Sequence, residues 1–426
     1  MTITIHRGLN QIGGCITEIS TDSSRVFIDL GQNLPGNGEK TTPEQDKAMV
    51  ESLFRNNPRA HEAVVYTHGH EDHIGLFDYV PKGIPQMIGE GAKEVVLEKY
   101  RIFCEKDVKE GSDPTTDRRK YNKLKTFKTW PRSRQPQPFS IGDIQITPFF
   151  NCHSIYDSYM FLIEADGKRI WHTGDFRQHG WTGGKLMQLL KWKATDIDVL
   201  ITEGTMLGSS DECIHEKRVS EKMAAVMQAF KYVFVLASST DIERLASINL
   251  AAKRSHKPLY ICQGLMNAAM RVFTRREAET SEGLFDFKPH FYNENRQLFS
   301  MGKHEFVLVC GVSQYEKIEM LHGVLPEEET LLIYSSWDGY YKDPEQVKTN
   351  PMYSLFRNIF HNVVDIHTSG HADRKTIQKV IETVNPKQAI IGIHKEKGQT
   401  LASLPLSDEL KGKLLELDES HPSLTL

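Results

Sequence analysis

The sequence predicts an α/β fold with more than one domain, and three observations support this prediction. Short apolar runs typical of buried strands recur along the 426 residues. From about residue 206 these runs alternate with helical patterns, as in open parallel sheets. Ionisable side chains directly follow several apolar runs. In a folded protein such positions lie in loops at one edge of a sheet, where active sites are commonly built. These strand-end positions are 68–73, 153, 175, 203, 371 and 394.

Length and composition are those of a globular protein of two or three domains. The hydrophobic fraction is 39% and the charged fraction 25%, which is ordinary for such a protein. Lys and Arg number 52 and Asp and Glu 56, a net charge of −4, so any contact with nucleic acid should be local. No apolar run approaches the ~18 residues of a membrane span, and residues 1–10 lack the apolar core of a signal peptide. These two observations predict no membrane association. No Cys-x-x-Cys pair occurs, so we expect the cysteines to be free thiols and the protein to be cytoplasmic.

The most informative stretch is Thr67-His68-Gly69-His70-Glu71-Asp72-His73-Ile74-Gly75, which follows the apolar run 63–66. It places four ligand-type side chains within six residues, at His68, His70, Asp72 and His73. Imidazole and carboxylate together suit zinc or a similar divalent ion. The alternative is a polar surface loop with scattered histidines. Close spacing directly after a buried strand argues against that alternative, so we expect a metal site here.

The remaining elements of the first 205 residues follow from local patterns. Residues 1–30 read as short strands, and helical patterns cover Glu44–Arg55 and 92–105. An alternating strand at 144–148 leads to His153. The Asp166-Gly167 pair predicts a hairpin that ends before Asp175, and a buried strand at 198–201 ends before Glu203.

Between these elements, residues 118–134 carry eight basic side chains and no acid, with Tyr121, Phe127 and Trp130 interleaved. One interpretation is a surface that tracks phosphates and stacks on bases. The other is a solvated segment whose aromatic rings dock on the body of the protein. The first interpretation assigns RNA contacts to Lys123, Lys125 and Lys128.

Residues 206–365 predict a separate α/β unit. The helical patterns lie at 219–230, 241–254 and 265–278, and the apolar strands at 232–237, 258–262, 305–310 and 330–334. No glycine-rich phosphate-binding fingerprint of the dinucleotide or Walker type occurs in this part of the sequence. A strand at 363–366, a helix capped by Asp373 and a strand at 389–393 then lead to His394.

The string HGHEDHIG matches the His-x-His-x-Asp-His signature of metallo-β-lactamase-fold hydrolases, and it is most similar to that of the ribonuclease J-like proteins among the β-CASP nucleases. Further motif positions follow in the family's order along nearly the whole chain. They are His153, Asp175 in Thr-Gly-Asp, Glu203, His371 in Ser-Gly-His, and His394. The resemblance implies an αββα sandwich formed by residues 1–205 and 366–426, with a β-CASP α/β domain inserted at 206–365. It also implies a substrate channel between the two domains.

The resemblance further implies a centre of two Zn²⁺ ions, with Mn²⁺ or Mg²⁺ as alternatives. His68, His70 and His153 would hold the first ion, and Asp72, His73 and His394 the second, with Asp175 between them. Asp29 and Glu203 would orient the metal ligands by contacting them without binding the metal themselves. Two such ions ~3.5–4 Å apart activate a shared water and hold a phosphodiester. Asp72 and Asp175 would thus take part in catalysis, together with His371, which would face the scissile phosphate without binding metal.

Contacts to RNA are implied for Ser369 and the Gly370 amide beside His371, and for Ser313 and Ser239 in polar turns of the insert. The implied function is a ribonuclease that cuts single-stranded RNA as an exonuclease or an endonuclease and leaves 5′-phosphate products. Alternatives are a DNA nuclease, a hydrolase of small thioesters or lactones, and a non-catalytic RNA-binding scaffold. Because 426 − 394 = 32 residues follow His394, we expect no C-terminal domain of the bacterial ribonuclease J type. The chain could still form a homo-oligomer.

Overall fold

A computed structural model describes residues 1–35, 40–210, 212–262, 264–277 and 283–426. The chain divides into two compact units. One unit consists of Met1–Glu212 and Gly370–Leu426, and the other of Cys213–Ser369. The insert predicted at 206–365 is shifted by a few residues towards the N-terminus relative to the second unit, Cys213–Ser369.

The strands, in chain order, are β1 Thr2–Arg7, β2 Ile16–Ser20, β3 Ser24–Ile28, β4 His61–Val65, β5 Gln86–Gly89, β6 Lys128–Trp130, β7 Phe139–Ile141, β8 Ile144–Asn151, β9 Ser158–Ala165, β10 Lys168–His172, β11 Val199–Glu203, β12 Tyr232–Leu236, β13 Leu259–Ile261, β14 His290–Phe291, β15 Phe306–Cys310, β16 Thr330–Tyr334, β17 Val363–Asp365, β18 Ala389–Ile393 and β19 Ser423–Thr425.

The α-helices, in chain order, are α1 Pro43–Arg55, α2 Glu71–Ile74, α3 Glu90–Glu110, α4 Thr115–Lys125, α5 Leu186–Lys193, α6 Glu216–Met227, α7 Ile242–Arg254, α8 Gly264–Glu277, α9 Glu294–Met301, α10 Tyr315–His322, α11 Gly339–Lys342, α12 Pro344–Thr349, α13 Pro351–Asn358, α14 Arg374–Val384 and α15 Asp408–Lys411. None of the helices in the described part of the chain has the length and apolar character needed to cross a membrane.

The first unit contains two sheets. One has the strand order β19-β1-β2-β3-β4-β5-β6, and the other β18-β11-β10-β9-β8-β7. Apolar side chains from both sheets form one buried core, to which Val26, Val65, Ile146, Phe161 and Ile201 belong. This face-to-face packing is the sandwich that the resemblance implies.

Helices cover both outer faces of the sandwich. Val64 of β4 packs with Val50 of α1 and Val96 of α3 on one face. On the other face, Leu200 of β11 packs with Leu190 of α5 and Ile377 of α14. The helix α14 is strongly amphipathic because its apolar residues recur every three or four positions. The layers are therefore helix, sheet, sheet and helix, and the predicted fold class is confirmed.

Parallel pairing brings the functional loops to common sheet edges. The strands β3 and β4 are parallel, so that Asp29 and the loop at Thr67 follow at the same end. In the second sheet, β10, β11 and β18 are mutually parallel, and they are followed by Asp175, by Thr205 and by His394. The clustering expected from the sequence thus follows from strand direction.

The second unit is built on one sheet, with the order β14-β13-β15-β12-β16-β17 and parallel pairing throughout. This confirms the open parallel sheet predicted from the alternation of helices and strands. A buried ion pair between Arg244 and Glu216 ties α7 to α6. Arg244 also donates hydrogen bonds to the side chain of Ser335 and to the carbonyl of Thr368.

Some elements differ from the predictions. The predicted helix at 92–105 extends over Glu90–Glu110, and residue 278 of the helix predicted at 265–278 lies outside the described residues. No helix or strand was predicted after residue 395. In the structure Leu401 and Leu404 are buried, and β19 pairs antiparallel with β1. A three-residue edge strand carries too little alternation to be recognised in a sequence.

A candidate metal centre

The loop after β4 is shaped by close backbone packing. Asp72 and His73 lie in the single-turn helix α2, in which the amides of His73 and Ile74 donate to the carbonyl of His70. The loop after β3 lies against this turn so closely that a Cβ on Gly31 would stand 1.7 Å from the carbonyl oxygen of Asp72. Glycine is therefore required at position 31, because any side chain would displace the turn that carries two of the predicted ligands.

Three imidazole rings form the first group of ligand atoms. Nδ1 of His70 lies 3.1 Å from Nε2 of His68 and 3.2 Å from Nε2 of His153. In a tetrahedral zinc site with Zn–N of about 2.0–2.1 Å, two ligand nitrogens stand about 3.3 Å apart. The two measured separations fit such a site, and all three rings are candidates for holding one divalent ion.

A second group forms around Asp72. Its Oδ2 lies 3.1 Å from Nε2 of His394 and 3.8 Å from Nε2 of His73. Nε2 of His73 is buried and makes no hydrogen bond to the described residues, although Oδ2 of Asp175 is 3.0 Å away. Burial opposes protonation of His73, but Asp175, Asp72 and Asp29 outweigh it and raise its pKa well above the usual range. A divalent cation at Nε2 would take the place of that proton.

Asp175 lies between the two groups. Its Oδ2 is 3.7 Å from Nε2 of His153 in the first group, and 3.0 Å and 3.6 Å from Nε2 of His73 and of His394 in the second. A single carboxylate thus faces ligand atoms from both groups, which is the position predicted for a bridging ligand.

The far ring nitrogens of the four buried histidines among the predicted ligands, His68, His73, His153 and His394, have polar partners. Nδ1 of His73 donates to Oδ2 of Asp29 at 2.7 Å. Thr67 Oγ1 donates to the same Asp29 oxygen at 2.7 Å and lies 2.9 Å from Nδ1 of His68, from which it can accept. Asp29 therefore contacts His73 directly and His68 through Thr67, and its role in orienting metal ligands stays a prediction. Such contacts select the tautomer that leaves Nε2 available to a metal.

His153 and His394 are oriented in the same manner. Nδ1 of His153 lies 2.8 Å from the carbonyl oxygen of Gly370, and Nδ1 of His394 lies 2.7 Å from Oγ1 of Thr205. The carbonyl of Gly370 thus contacts a predicted ligand, and the phosphate contact that the resemblance implies for the Gly370 amide stays a prediction. The positive φ values of Asp29 and His394, 64° and 52°, place both residues in the left-handed region. That backbone conformation costs free energy and is common at functional sites.

Burial favours the neutral, metal-binding form of the first group. It lowers the pKa of His70 to about 4. It also lowers the pKa of His68 and of His153 well below the usual histidine range. Burial alone would raise the pKa of Asp175, but the nearby histidines, with His394 first, hold it well below the usual range. Neutral imidazoles beside an ionised carboxylate are the donor set that a divalent cation needs.

His371 forms a separate pair with Glu203 beside this centre. Its Nδ1 lies 2.9 Å from Oε2 of Glu203 and 3.7 Å from Oδ2 of Asp175. The other oxygen of Glu203 accepts from the amide of Phe176 at 2.7 Å. Burial opposes protonation of His371, but Glu203 and Asp175 outweigh it and raise its pKa to about 9. We expected Glu203 to orient His394 or another ligand; in the structure it contacts His371, and Thr205 contacts His394.

The phosphate-binding predictions in the second unit concern turns at strand ends. Ser239 follows β12, and Ser313 lies in a 3₁₀ turn after β15 and is exposed. Because β12 and β15 are parallel neighbours, both serines lie at the same edge of that sheet. Ser369 is the last residue of this unit and is half-buried. Their contacts with RNA remain predictions.

The aromatic rings of the basic segment belong to the body of the protein. Phe127 is buried and stacks on Tyr66 with ring centroids 5.6 Å apart. Trp130 is buried and stacks on Phe139. The structure thus agrees with the docking interpretation for these two rings. The base-stacking interpretation is wrong for them, because a ring inside a core has no face for a base.

Two family models match the parts of the chain that contain the predicted ligands. Residues 41–233 match the family model described as the beta-lactamase superfamily domain. Residues 359–403 match the model described as the Zn-dependent metallo-hydrolase RNA specificity domain. The first range includes the ligands from His68 to Asp175, and the second includes His371 and His394.

Relatives align along most of the chain. Ribonuclease J of Thermus thermophilus is 24% identical over 405 residues, which is 89% of this chain and 66% of that protein. Ribonuclease J of Helicobacter pylori strain B128 is 29% identical over 429 residues, 90% of this chain and 54% of that protein. These domain matches and relatives support a ribonuclease J-like protein of the metallo-β-lactamase superfamily. The chain spans between about half and two thirds of the length of these two relatives.

Two further similarities extend the comparison beyond ribonuclease J. The transcription termination factor FttA of Pyrococcus abyssi is 21% identical over 447 residues, 92% of this chain and 66% of that protein. A crystal structure of a protein of unknown function from Enterococcus faecalis V583 superimposes with a TM-score of 0.72 at 18% sequence identity, covering 100% of this chain and 99% of the other. The latter supports the fold over the full length.

The family motifs do not contain every residue that shapes the centre. Thr205 holds His394, and its only sequence signal is its position after the predicted strand that ends near Glu203. Asn151 was also missed; its amide donates to the carbonyls of Thr173 and Asp175 and fixes the loop that carries the central carboxylate. A polar side chain at the end of an alternating strand, directly before His153, was the signal for it.

Removing the Thr205 hydroxyl should weaken one ion selectively. We expect Thr205→Val to lower the affinity for the second ion ~10–100-fold, because His394 loses the partner that orients it. Thr205→Ser keeps the hydroxyl and should bind metal normally. Competition against a chromogenic chelator measures both affinities. Equal affinities for the two variants would show that the Thr205–His394 contact does not support metal binding.

Proposed function

We propose that this protein is a metal-dependent ribonuclease that hydrolyses phosphodiester bonds of single-stranded RNA and leaves 5′-phosphate products. The observation that carries the proposal is that Oδ2 of Asp175 lies 3.0–3.7 Å from ring nitrogens of His73, His153 and His394, with the His371–Glu203 pair beside it. The match of residues 359–403 to an RNA specificity domain supports RNA as the substrate.

The ligand set favours two divalent ions, zinc by donor type. His68, His70 and His153 would hold one ion, and Asp72, His73 and His394 the other, with Asp175 shared. When bound, the ions would supply Lewis acidity and an activated water for attack on phosphorus. The protein's part is to orient the imidazoles, which Asp29, Thr67 and Thr205 do through the far ring nitrogens.

His371 is the group suited to the leaving oxygen. Its raised pKa means that the ring is protonated at neutral pH. With Nδ1 held by Glu203, Nε2 is the atom that would deliver a proton to the 3′ oxygen as the P–O3′ bond breaks. The neighbouring Asp175 and Glu203 carboxylates then face a neutral ring, and the proton is recovered from solvent.

Incubation of the purified protein with end-labelled single-stranded RNA, with and without a chelator, tests the proposal. We expect cleavage that the chelator abolishes and that added Zn²⁺ or Mn²⁺ restores. Mononucleotides released from the 5′ end would indicate an exonuclease, and discrete internal fragments an endonuclease. A single-stranded DNA of the same sequence and a small thioester serve as competing substrates. Faster turnover of either one would reject the RNA assignment, and binding of RNA without any cleavage would identify a non-catalytic scaffold.

The three lysines predicted to contact RNA in the basic segment 118–134 differ in their surroundings. Nζ of Lys123 donates to the carbonyl of Asp78 at 3.1 Å and also to that of Val80, so this ammonium anchors α4 to the turn below it. Lys125 and Lys128 are exposed, with Nζ of Lys125 4.3 Å from the ring centroid of Tyr121. The two exposed lysines are therefore the better candidates for phosphate contacts.

We expect Lys125→Gln with Lys128→Gln to weaken RNA binding and to flatten its salt dependence by about 0.7 in slope per lost phosphate contact. Lys123→Gln should instead lower the free energy of unfolding by about 1–2 kcal/mol, since charged hydrogen bonds to two carbonyls are lost. Filter binding over a salt series and urea denaturation separate the two effects. If the double variant binds RNA with the parent's affinity at low salt, residues 118–134 are a solvated segment only.

A further inference from the structure

Cys15 lies beside the second group of ligands, although no motif assigns it a role. It precedes β2, is buried, and is a free thiol. Its sulfur and the ligand nitrogens of His73 and His394 all lie within 4.8 Å of one another. These are two of the three residues predicted to hold the second ion.

The backbone keeps the thiol in this place. The amide of Cys15 donates to the carbonyl of Asp72 at 3.0 Å, and its own carbonyl accepts from Gly31 at 3.0 Å. The same loop is tied to His394, whose amide donates to the carbonyl of Gly8 at 2.7 Å. A Cβ built on Gly8 would stand 3.3 Å from the sulfur of Cys15, so glycine leaves room for the thiol. Both Asp72 and His394 are therefore joined to the segment that carries the cysteine.

An independent observation indicates that this group is built for a ligand. Nε2 of His73 is fully enclosed and belongs to the same cluster of donor atoms as Cys15; it faces Oδ2 of Asp175 at 3.0 Å and Oδ2 of Asp72 at 3.8 Å without hydrogen-bond geometry to the described residues. Imidazole, carboxylate and thiol donors gathered in this way without hydrogen-bond geometry are the setting in which a divalent cation fits.

We infer that Cys15 is an additional protein ligand of the second ion, bound through its thiolate together with Asp72, His73 and His394. The inference rests on the metal centre of the proposed function and deepens it. The sulfur–metal bond forms as the S–H bond breaks, and the proton leaves to solvent, as in other cysteine–metal sites.

A sulfur ligand changes which metal the centre prefers. Thiolates favour Zn²⁺, Cd²⁺ and Co²⁺, whereas Mg²⁺ and Mn²⁺ favour oxygen ligands. The choice among zinc, manganese and magnesium, which the motifs leave open, is thereby resolved in favour of zinc at the second position.

Cobalt substitution tests the inference without measuring activity. We expect the full-length protein loaded with Co²⁺ to show a sulfur-to-cobalt charge-transfer band in the near ultraviolet, in addition to the visible bands of bound cobalt. Cys15→Ser should lose the charge-transfer band and keep the visible bands. Cys310→Ser is the matched control, since Cys310 is also a buried free thiol but lies in the other unit; it should retain both.

Absence of the charge-transfer band from the unaltered protein, while the visible bands are present, would overturn the inference and leave the metal centre intact. Persistence of the band in Cys15→Ser would overturn it as well. A protein that takes up no cobalt at all would contradict the proposed function itself. As a second readout, we expect the ratio of Cd²⁺ to Mn²⁺ affinity to fall ~10-fold or more in Cys15→Ser, the scale on which ligand changes alter metal binding. An unchanged ratio would reject the cysteine as a ligand.

Discussion

Asp175→Asn should abolish RNA cleavage and reduce the bound metal. Its Oδ2 faces both ligand groups, with distances of 3.0–3.7 Å to His73, His394 and His153. A neutral amide cannot balance two divalent ions, so several kcal/mol of transition-state stabilisation disappear, which corresponds to ~10³-fold or more in rate. Metal analysis and RNA turnover on the same preparation measure the change.

His68→Ala provides a comparison for this result. It removes one ligand of the first group and should also abolish cleavage while leaving the second ion more firmly bound than Asp175→Asn does. Substituting Asp166, an exposed hairpin residue outside the centre, by Asn should change neither metal content nor turnover. Full metal content together with normal cleavage in Asp175→Asn would exclude a bridging role for this carboxylate.

His371→Ala should separate catalysis from metal binding. We expect it to keep both ions and near-native stability, yet to lose ~10²-fold or more in turnover, as for a proton donor or a transition-state hydrogen bond. His394→Ala, by contrast, should lose the second ion. If the His371 variant loses metal as readily as the His394 variant, then His371 is a ligand and its assigned role is wrong.

The pH dependence of RNA cleavage tests the role of the His371–Glu203 pair in a second way. Burial opposes the charged form of His371, but Glu203 and Asp175 raise its pKa to about 9. An activity that needs the protonated ring is present below that pKa and falls as the pH rises through it. Glu203→Gln removes one of the two charges that raise the pKa, so the fall in activity should move to lower pH. A pH profile that is identical in both proteins would show that Glu203 does not act through His371.

The parts of the site that the sequence predicted are those encoded locally. His68, His70, Asp72 and His73 lie within six residues after a buried strand, so their convergence needs only one turn. The predicted N-cap at Asp373 is also local, and its carboxylate accepts from the amide of Thr376 as expected. Parallel strand direction then accounts for the arrival of Asp175 and His394 at the same place.

Contacts between loops that are distant in sequence escaped prediction for a physical reason. Cys15 reaches the centre through backbone hydrogen bonds to Asp72 and Gly31, and Thr205 through a contact with His394 across 189 positions. No spacing rule relates such pairs. The same applies to Lys123, whose charge suggests RNA but whose ammonium is used by carbonyls of a neighbouring turn. Charge and residue type give the chemistry available, and only the tertiary structure shows how each group is used.

A titration of metal into the metal-free protein, with RNA cleavage measured at each step, tests the central claim most directly. If the seven ligands form a two-ion centre that cuts RNA, cleavage should be absent without metal, rise as zinc is added, and reach its maximum at about two ions per chain, the number used by two-metal nucleases. Sustained cleavage of RNA by the metal-free protein would contradict the account, as would a fully loaded protein that leaves single-stranded RNA intact.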